Sequence, residues 1–338
     1  MNSLLKTISS LLGTPMRAMV KLHGDASYRT YYRASAADGS TYIVMQMPEG
    51  KQSVSEEITN MSGTHQELPF INVQRYLASL ALPVPRIVRE DHAAHLIILE
   101  DLGDELMFNL VDGRADGERR TWYAKALELL VTMQGKAEAR NDASCVAFKR
   151  SFDATLYNWE FDHFLEYGIE ARLGLTMSAE DREVFTKETR AIAEEIQKYP
   201  RGFTHRDFQS RNLLWKNERF YLIDFQDALM GPRVYDLVAL LRDSYVELSA
   251  DTVRHFVAAY ADARGFDPIA TMREFDLVTI QRKLKDAGRF VFIDRVKKNP
   301  KFLTYIPASL GYVREAFARS GAHPELYEML KKYVPEWQ

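Results

Sequence analysis

His205-Arg206-Asp207 is followed by Asn212 five positions after the aspartate, and by Asp224-Phe225 twelve positions after that asparagine. Between Asn212 and Asp224 lie two short β-rich runs, Leu213-Leu214-Trp215 and Phe220 to Ile223, joined by the turn Lys216-Asn217-Glu218-Arg219. An aspartate, an asparagine and a second aspartate spaced this way around a hairpin suit phosphoryl transfer. In that chemistry negative charge spreads over oxygens, and catalysis is mainly positioning and electrostatic stabilisation. Asp207 is expected to orient an acceptor hydroxyl and take its proton. Asn212 and Asp224, at opposite ends of one hairpin, offer the oxygen ligands that Mg²⁺ prefers beside phosphate. His205 and Arg206 are expected to brace the loop. Each part of the pattern is common by chance; the parts together and in this order are not.

Positioning such residues needs a scaffold, and the pattern along the chain changes once. Tyr28 to Ala34 and Ser40 to Met47 are β-rich and separated by Asp38-Gly39, a hairpin signal. Residues 48–69 are polar, without a clear period, and predict an inserted loop. Ile71, Tyr76, Leu77 and Leu80 predict a helix that ends before Pro83 and Pro85. Leu96 to Leu99 predicts a buried strand, and Glu100-Asp101-Leu102-Gly103 a hinge after it. From Gly117 helical patterns dominate, at Trp122 to Met133, Leu156 to Arg172, Ala179 to Lys198 and Tyr235 to Tyr245. The expectation is an α+β, two-lobed chain: residues 1–102 a β-rich N-lobe with one helix, and 103–338 a larger, mostly helical C-lobe carrying the catalytic loop.

The chain has 338 residues, 46% hydrophobic and 27% charged, with a formal net charge of −3. Nothing global points to a polyanion, so no nucleic-acid partner is expected. Eight basic residues between Arg282 and Lys301 are expected to form a solvated helix face. The single cysteine, Cys145, leaves no disulfide framework. Polar residues interrupt the N-terminal leucines, and no apolar run approaches the ~20 residues of a membrane span. A cytoplasmic protein with no membrane partner is expected. His92 and His95 lack further metal ligands nearby, and there is no Gly-Lys-Ser/Thr phosphate loop.

Phe203-Thr-His-Arg-Asp-Phe-Gln-Ser-Arg-Asn-Leu-Leu, Leu222-Ile-Asp-Phe-Gln-Asp-Ala, Gly231-Pro and Tyr235-Asp-Leu-Val together resemble the aminoglycoside phosphotransferase and choline kinase-like superfamily. Asp-Phe-Gln-Asp with Leu240-Leu-Arg-Asp-Ser-Tyr and Gln281-Arg-x-Leu-Lys-x-Ala-Gly resembles, within it, bacterial amino-sugar kinases of cell-wall recycling. Those enzymes phosphorylate N-acetylmuramate and N-acetylglucosamine at the anomeric hydroxyl. The resemblance implies a protein-kinase-like fold, ATP and Mg²⁺, a small-molecule sugar acceptor, Asp207 as base, and Asn212 and Asp224 as metal ligands. It also implies that Asp236 holds the catalytic-loop backbone; simple capping of the following helix is the alternative.

The nucleotide grip departs from that pattern. Only Gly24-Asp25-Ala26-Ser27 stands where a Gly-rich loop is expected, Met45 or Gln46 replaces the strand lysine, and the helix from Ile71 to Leu80 has no glutamate. Gly24 and Ser27 are expected at the phosphates with Arg29 as substitute cation, ahead of Arg33 and Lys51. Glu100 and Leu102 are expected to offer backbone groups to the adenine. For the acceptor, Glu160, Asp227, Arg242 and Asp243 are candidates. A kinase of another hydroxyl compound (an aminoglycoside or an amino alcohol) and a nucleotide-binding pseudokinase are the alternative functions.

Overall fold

The structure, a computed structural model, describes residues 2–22, 29–47 and 67–338. Gly24, Ser27 and Lys51 lie outside these residues. The chain forms two compact units: Met1–Glu105 with Leu214–Asp227, and Leu106–Leu213 with Ala228–Gln338.

In the first unit, helix α1 (Asn2–Leu12) precedes the strands β1 (Met16–Lys21), β2 (Thr30–Ala36) and β3 (Thr41–Gln46). Helix α2 (Pro69–Ser79) follows, then β4 (Ile87–Asp91) and β5 (Leu96–Glu100). The sheet is antiparallel, in the order β1-β2-β3-β5-β4. Leu4, Leu5, Ile8, Leu11 and Leu12 recur at helical spacing, and α1 buries that stripe against Met19, Ala34, Val44, Leu96 and Ile98. The β2–β3 turn places Gly39 at φ 89°, a conformation open to glycine without strain. Strands β1 and β4 were not legible in the sequence, being short and carrying few buried side chains.

The second unit opens with α3 (Met107–Val111), α4 (Asp116–Ala139) and α5 (Ala154–His163). Helix α5 runs on into a π-helical segment, Phe164–Ala171, where the sequence predicts continuous α-helix. Helix α6 (Ala179–Gln197) and strand β6 (Arg201–Thr204) follow. The hairpin β7 (Leu213–Lys216) and β8 (Arg219–Leu222) then joins the first unit, outside the C-lobe range expected for it. Trp215 N donates to Glu105 O at 2.7 Å, Leu222 N to Pro83 O at 2.8 Å and Lys216 Nζ to Asp101 O at 2.6 Å. Asn217 and Glu218, at φ 49° and 60°, make its two-residue turn, both in the left-handed region that matches strand twist.

The chain returns as β9 (Leu229–Pro232), antiparallel to β6. The remaining helices are α7 (Tyr235–Leu241), α8 (Ala250–Arg264), α9 (Pro268–Lys297), α10 (Ile306–Ser320) and α11 (Pro324–Leu330). Helix α9, 30 residues long, is the spine of this unit and packs on α10, α8 and the π-helical segment. The first half of its basic run is not a solvated face, although Arg295, Lys298 and Lys301 further along the chain are exposed. Arg282 and Lys283 have side chains only 2% exposed, because acidic and backbone oxygens inside the fold receive their charges. Among the described residues, no helix is long and apolar enough to cross a membrane.

Gly288 sits where α9 crosses the start of the π-helical segment. A Cβ there would lie 2.8 Å from Phe164 Cα and 3.1 Å from the His163 carbonyl oxygen, both backbone atoms. Gly288→Ala is expected to destabilise by about 1–3 kcal/mol, the range for overpacking. Gly311→Ala on α10, where nothing lies within 4 Å of the added atom, is expected to stabilise by about 0.4–1 kcal/mol. Denaturant unfolding of the two variants checks the contrast.

Candidate active site

Strand β6 delivers the chain to His205. Gly202 and Gly231 face each other across β6 and β9. A Cβ on Gly231 would meet Thr204 Oγ1 at 2.8 Å and Phe152 at 2.9 Å, so glycine is what lets these elements close up. The backbone then turns through Arg206 at φ 80°. For a long side chain this left-handed conformation is strained by about 1–3 kcal/mol and persists only when its surroundings enforce it.

Two carboxylates enforce it. Asp236, fully buried in the first turn of α7, accepts from His205 N at 2.7 Å and from Arg206 N at 2.9 Å. Asp243, seven residues on and just past the end of α7, accepts from Ser210 N at 2.9 Å and from the Ser210 hydroxyl. Its other oxygen accepts from Tyr245 N at 3.0 Å. The loop between β6 and Asn212 is thus tied at both ends to one helix and its exit. Burial pushes Asp236 up to about 7 against the pull of its two N–H donors, and raises Asp243 against its Ser210 bonds.

Helix α9 supplies the matching positive charge. Arg282 donates to the Arg206 carbonyl at 2.7 Å and to Asp207 Oδ1 at 3.3 Å, with its guanidinium 4.9 Å from the centre of the Tyr235 ring. Asp286 anchors the neighbouring cations, Lys283 and Lys285, each at 2.7 Å. Arg206 reaches Glu160 Oε1 at 3.3 Å, and Gln281 donates to Glu160 Oε2 at 2.6 Å. Desolvation opposes the charge on Asp207, but Arg282, Lys285 and Arg206 outweigh it and hold the carboxyl below its ordinary range. The Asp207 side chain is 34% exposed while Arg282 behind it is 2% exposed. An ionised, partly open carboxylate fixed from behind can orient a hydroxyl and accept its proton.

Asn212 Nδ2 donates to the Asp207 carbonyl at 2.9 Å, which commits the amide nitrogen and leaves Oδ1 as an acceptor. Beside it, the Arg211 guanidinium lies 3.7 Å from the Tyr245 ring centre and 4.8 Å from that of Phe108, and donates to the Tyr305 hydroxyl at 2.9 Å. In the first unit Asp224 follows β8 at φ 63°, exposed, with Gln226 Nε2 bonded to it at 2.9 Å and to Asp227 at 3.2 Å. Phe225 anchors that turn by stacking on Phe70, with ring centres 5.0 Å apart. Taken each by itself, the amide oxygen of Asn212 and the carboxylate of Asp224 are hard oxygen donors of the kind Mg²⁺ prefers.

Met45 is buried in the central strand, paired between Tyr31 and Ile97. On α2, the buried amide of Gln74 donates to Pro85 O at 2.9 Å, so neither half of a lysine–glutamate pair is present there. Arg33 is committed elsewhere: it donates to Asp101 at 2.6 and 3.1 Å and to Asp104 at 2.6 and 2.8 Å. Arg29 stands half-buried just before β2. Leu102 is buried, and Glu100 Oε1 accepts from Arg86 N at 3.0 Å.

Glu160, Arg242 and Asp243, expected at the acceptor, have essentially no exposed surface. Their charges are used inside the fold: Glu160 on Arg206, Asp243 on Ser210, and Arg242 on Glu315 at 2.9 Å with its guanidinium against the Tyr312 ring. Glu160 and Asp243 brace the loop from behind through Arg206 and Ser210, Arg242 pairs with α10, and none of the three offers surface to an acceptor. Arg282, Asp286, Ser210 and Arg211 were missed as site residues, although Arg282 stands in the Gln281-Arg-x-Leu-Lys-x-Ala-Gly stretch and Ser210 and Arg211 in the catalytic-loop motif.

Asp236 generates a pH prediction. Its folded carboxyl keeps a proton from the ordinary range near ~4 up to about 7, while the unfolded chain has released it. This contribution to stability is therefore full below ~4 and lost as pH rises through about 7. Asp236→Asn should abolish that pH-dependent component. It should also cost about 1–3 kcal/mol by presenting N–H₂ to a backbone donor. Denaturant unfolding of both proteins at a series of pH values reads the two effects.

Comparison with known proteins matches this constellation. Residues 19–275 fit the model of the "Phosphotransferase enzyme family". The N-acetylmuramate/N-acetylglucosamine kinase of Neisseria meningitidis serogroup B is 28% identical over 320 residues, covering 92% of this chain and 89% of that protein. The protein of the same name from Pseudomonas putida is 27% identical over 323 residues, covering 93% and 87%. Among solved structures, a choline kinase from Streptococcus pneumoniae shares the fold with a TM-score of 0.63 at 17% identity, over 95% of this chain and 98% of that one. By its match over residues 19–275, the chain belongs to the phosphotransferase enzyme family.

Proposed function

We propose that this chain is an ATP-dependent kinase that transfers the γ-phosphoryl group to the anomeric hydroxyl of an amino sugar, N-acetylmuramate or N-acetylglucosamine. The observation that carries the transfer chemistry is Asp207: ionised, partly exposed, and held by Arg282 on a loop whose backbone two buried carboxylates tie down. The likeness to kinases of that name over more than nine-tenths of the chain supports the acceptor.

In this reading Asp207 accepts a hydrogen bond from the acceptor hydroxyl and takes its proton as the new O–P bond forms and ADP leaves. Arg282 keeps Asp207 charged and aimed. Asn212 and Asp224, the residues named by the motif, would hold Mg²⁺, which when bound neutralises the phosphate oxygens. Arg29 is assigned to the phosphates in place of the missing strand lysine, since Arg33 is taken by Asp101 and Asp104. The backbone at Glu100 and Leu102 is assigned to the adenine. The reaction belongs to the cytoplasm, where ATP is supplied.

ADP release in the presence of Mg²⁺ should be stimulated by both sugars, with phosphorus NMR locating phosphate on the anomeric carbon. Asp207→Asn should lower kcat by about 10²–10⁴-fold, the usual contribution of a positioned base. A methyl glycoside, whose anomeric oxygen is blocked, should be inert; its phosphorylation at the rate of the free sugar would overturn the anomeric assignment.

A further inference from the structure

The basic run of α9 and the π-helical segment against it have no part in the mechanism above beyond Arg282. Residues 282, 285, 289 and 292 fall on one face of α9 by helical spacing. Arg282 reaches Asp207, and at 1.5 Å per residue Lys285 and Arg289 lie about 5 and 10 Å further along the axis. Lys285, held by Asp286 at 2.7 Å, sits between Arg282 and Arg289 on this face, and its charge helps lower both the Asp207 carboxyl and the His163 imidazole.

There the rings converge. Trp159 stacks on His163 at 5.2 Å, His163 meets Tyr167 at 4.7 Å, and Tyr167 stands edge-on to Phe292 at 5.1 Å. The Arg289 guanidinium lies 4.9 Å from the Phe292 ring centre. Trp159, Tyr167, Phe292 and Arg289 are all half-buried, so each keeps surface for a ligand. His163 beneath them is buried, and its Nε2 meets no hydrogen-bond partner. Burial, with Arg289 and Lys285 nearby, lowers His163 to about 4 and keeps it neutral, so it stacks as an uncharged ring. The π-helical geometry shifts the side-chain register after His163, and such segments recur at functional sites.

We propose that Lys285 and Arg289, with the rings of Trp159, Tyr167 and Phe292, form an acceptor subsite that selects a sugar bearing a carboxylate. This rests on the amino-sugar reading above and deepens it. N-acetylmuramate is N-acetylglucosamine with a lactyl carboxylate on O3, two ring carbons from the hydroxyl presented to Asp207. The rings take the apolar face of the sugar and its substituent, and the two cations meet the carboxylate. The arrangement accepts the neutral sugar and favours the acidic one.

The test is equilibrium binding by calorimetry of both free sugars to the native chain and to Arg289→Ala, Arg289→Lys and Lys285→Met, with a thermal melt of each variant. The native chain should bind N-acetylmuramate more tightly than N-acetylglucosamine. Arg289→Ala and Lys285→Met should each shrink that preference about tenfold, a change of about 1.4 kcal/mol in the difference. Arg289→Lys should retain most of it. A native chain with no preference for the acid, or a preference unchanged in both Arg289→Ala and Lys285→Met, would overturn the subsite. Turnover is read separately: failure to phosphorylate either sugar sinks the proposed reaction, whereas the binding preference decides the subsite.

Discussion

The geometry of this site depends on a buried carboxylate bonded to the backbone of a strained loop. Arg206 at φ 80° is not a conformation its own sequence favours. It exists because Asp236 takes the consecutive N–H groups of His205 and Arg206 into one carboxyl group. Two hydrogen bonds into that carboxyl contribute about 0.5–1.5 kcal/mol each while it is protonated and about 1.5–3 kcal/mol each once it is ionised, enough together to offset the strain. Gripping backbone donors fixes the path of the loop whatever side chains it displays. Asp243 repeats the device at Ser210, and between the two anchors Asp207 is left with few ways to move.

The charge around that loop is arranged in depth. Buried ions are costly to desolvate, and a set of them is stable only when every member is matched. Arg282 is matched by Asp207 and the Arg206 carbonyl, Lys283 by Asp286 and Ser244, and Arg206 by Glu160. Arg282 ties the loop to α9, Arg206 ties it to α5, and Lys283 with Asp286 lies within α9; removing one member of any pair strands a charge in the interior. Helix α9 is thus both the core of its unit and the source of the positive charge that keeps Asp207 ionised.

What the sequence disclosed follows from how locally each feature is encoded. Asp207, Asn212 and Asp224 lie within eighteen positions, and their spacing carries their relation directly. The β2–β3 hairpin was legible because Asp38-Gly39 sets its turn, and α2 because its apolar residues keep the helical period. Arg282 was not legible as a partner of Asp207, because 75 positions separate them and in one dimension it is one basic residue among eight. Glu160, Arg242 and Asp243 show the same limit from the other side. Polar residue type suggested the acceptor, but burial is a property of the packed chain and leaves them no surface to offer one. The π-helical segment was hidden because its apolar spacing over a few residues cannot be told from an α-helix.

Apart from Glu160 on Arg206, the ties on the catalytic loop described above run in one direction along the chain. Asp236 and Asp243 follow the residues they hold by 30 to 33 positions, and Arg282 follows by 75 and 76. During synthesis the loop therefore emerges before the carboxylates that hold its backbone and before Arg282. Contacts of such sequence separation form late, after the ends of a long segment have met. A nascent chain that has just released Asn212 carries every motif residue of the loop before either backbone anchor exists. Catalytic competence is acquired only when α9 has been made and has docked, long after the first sheet has its strands.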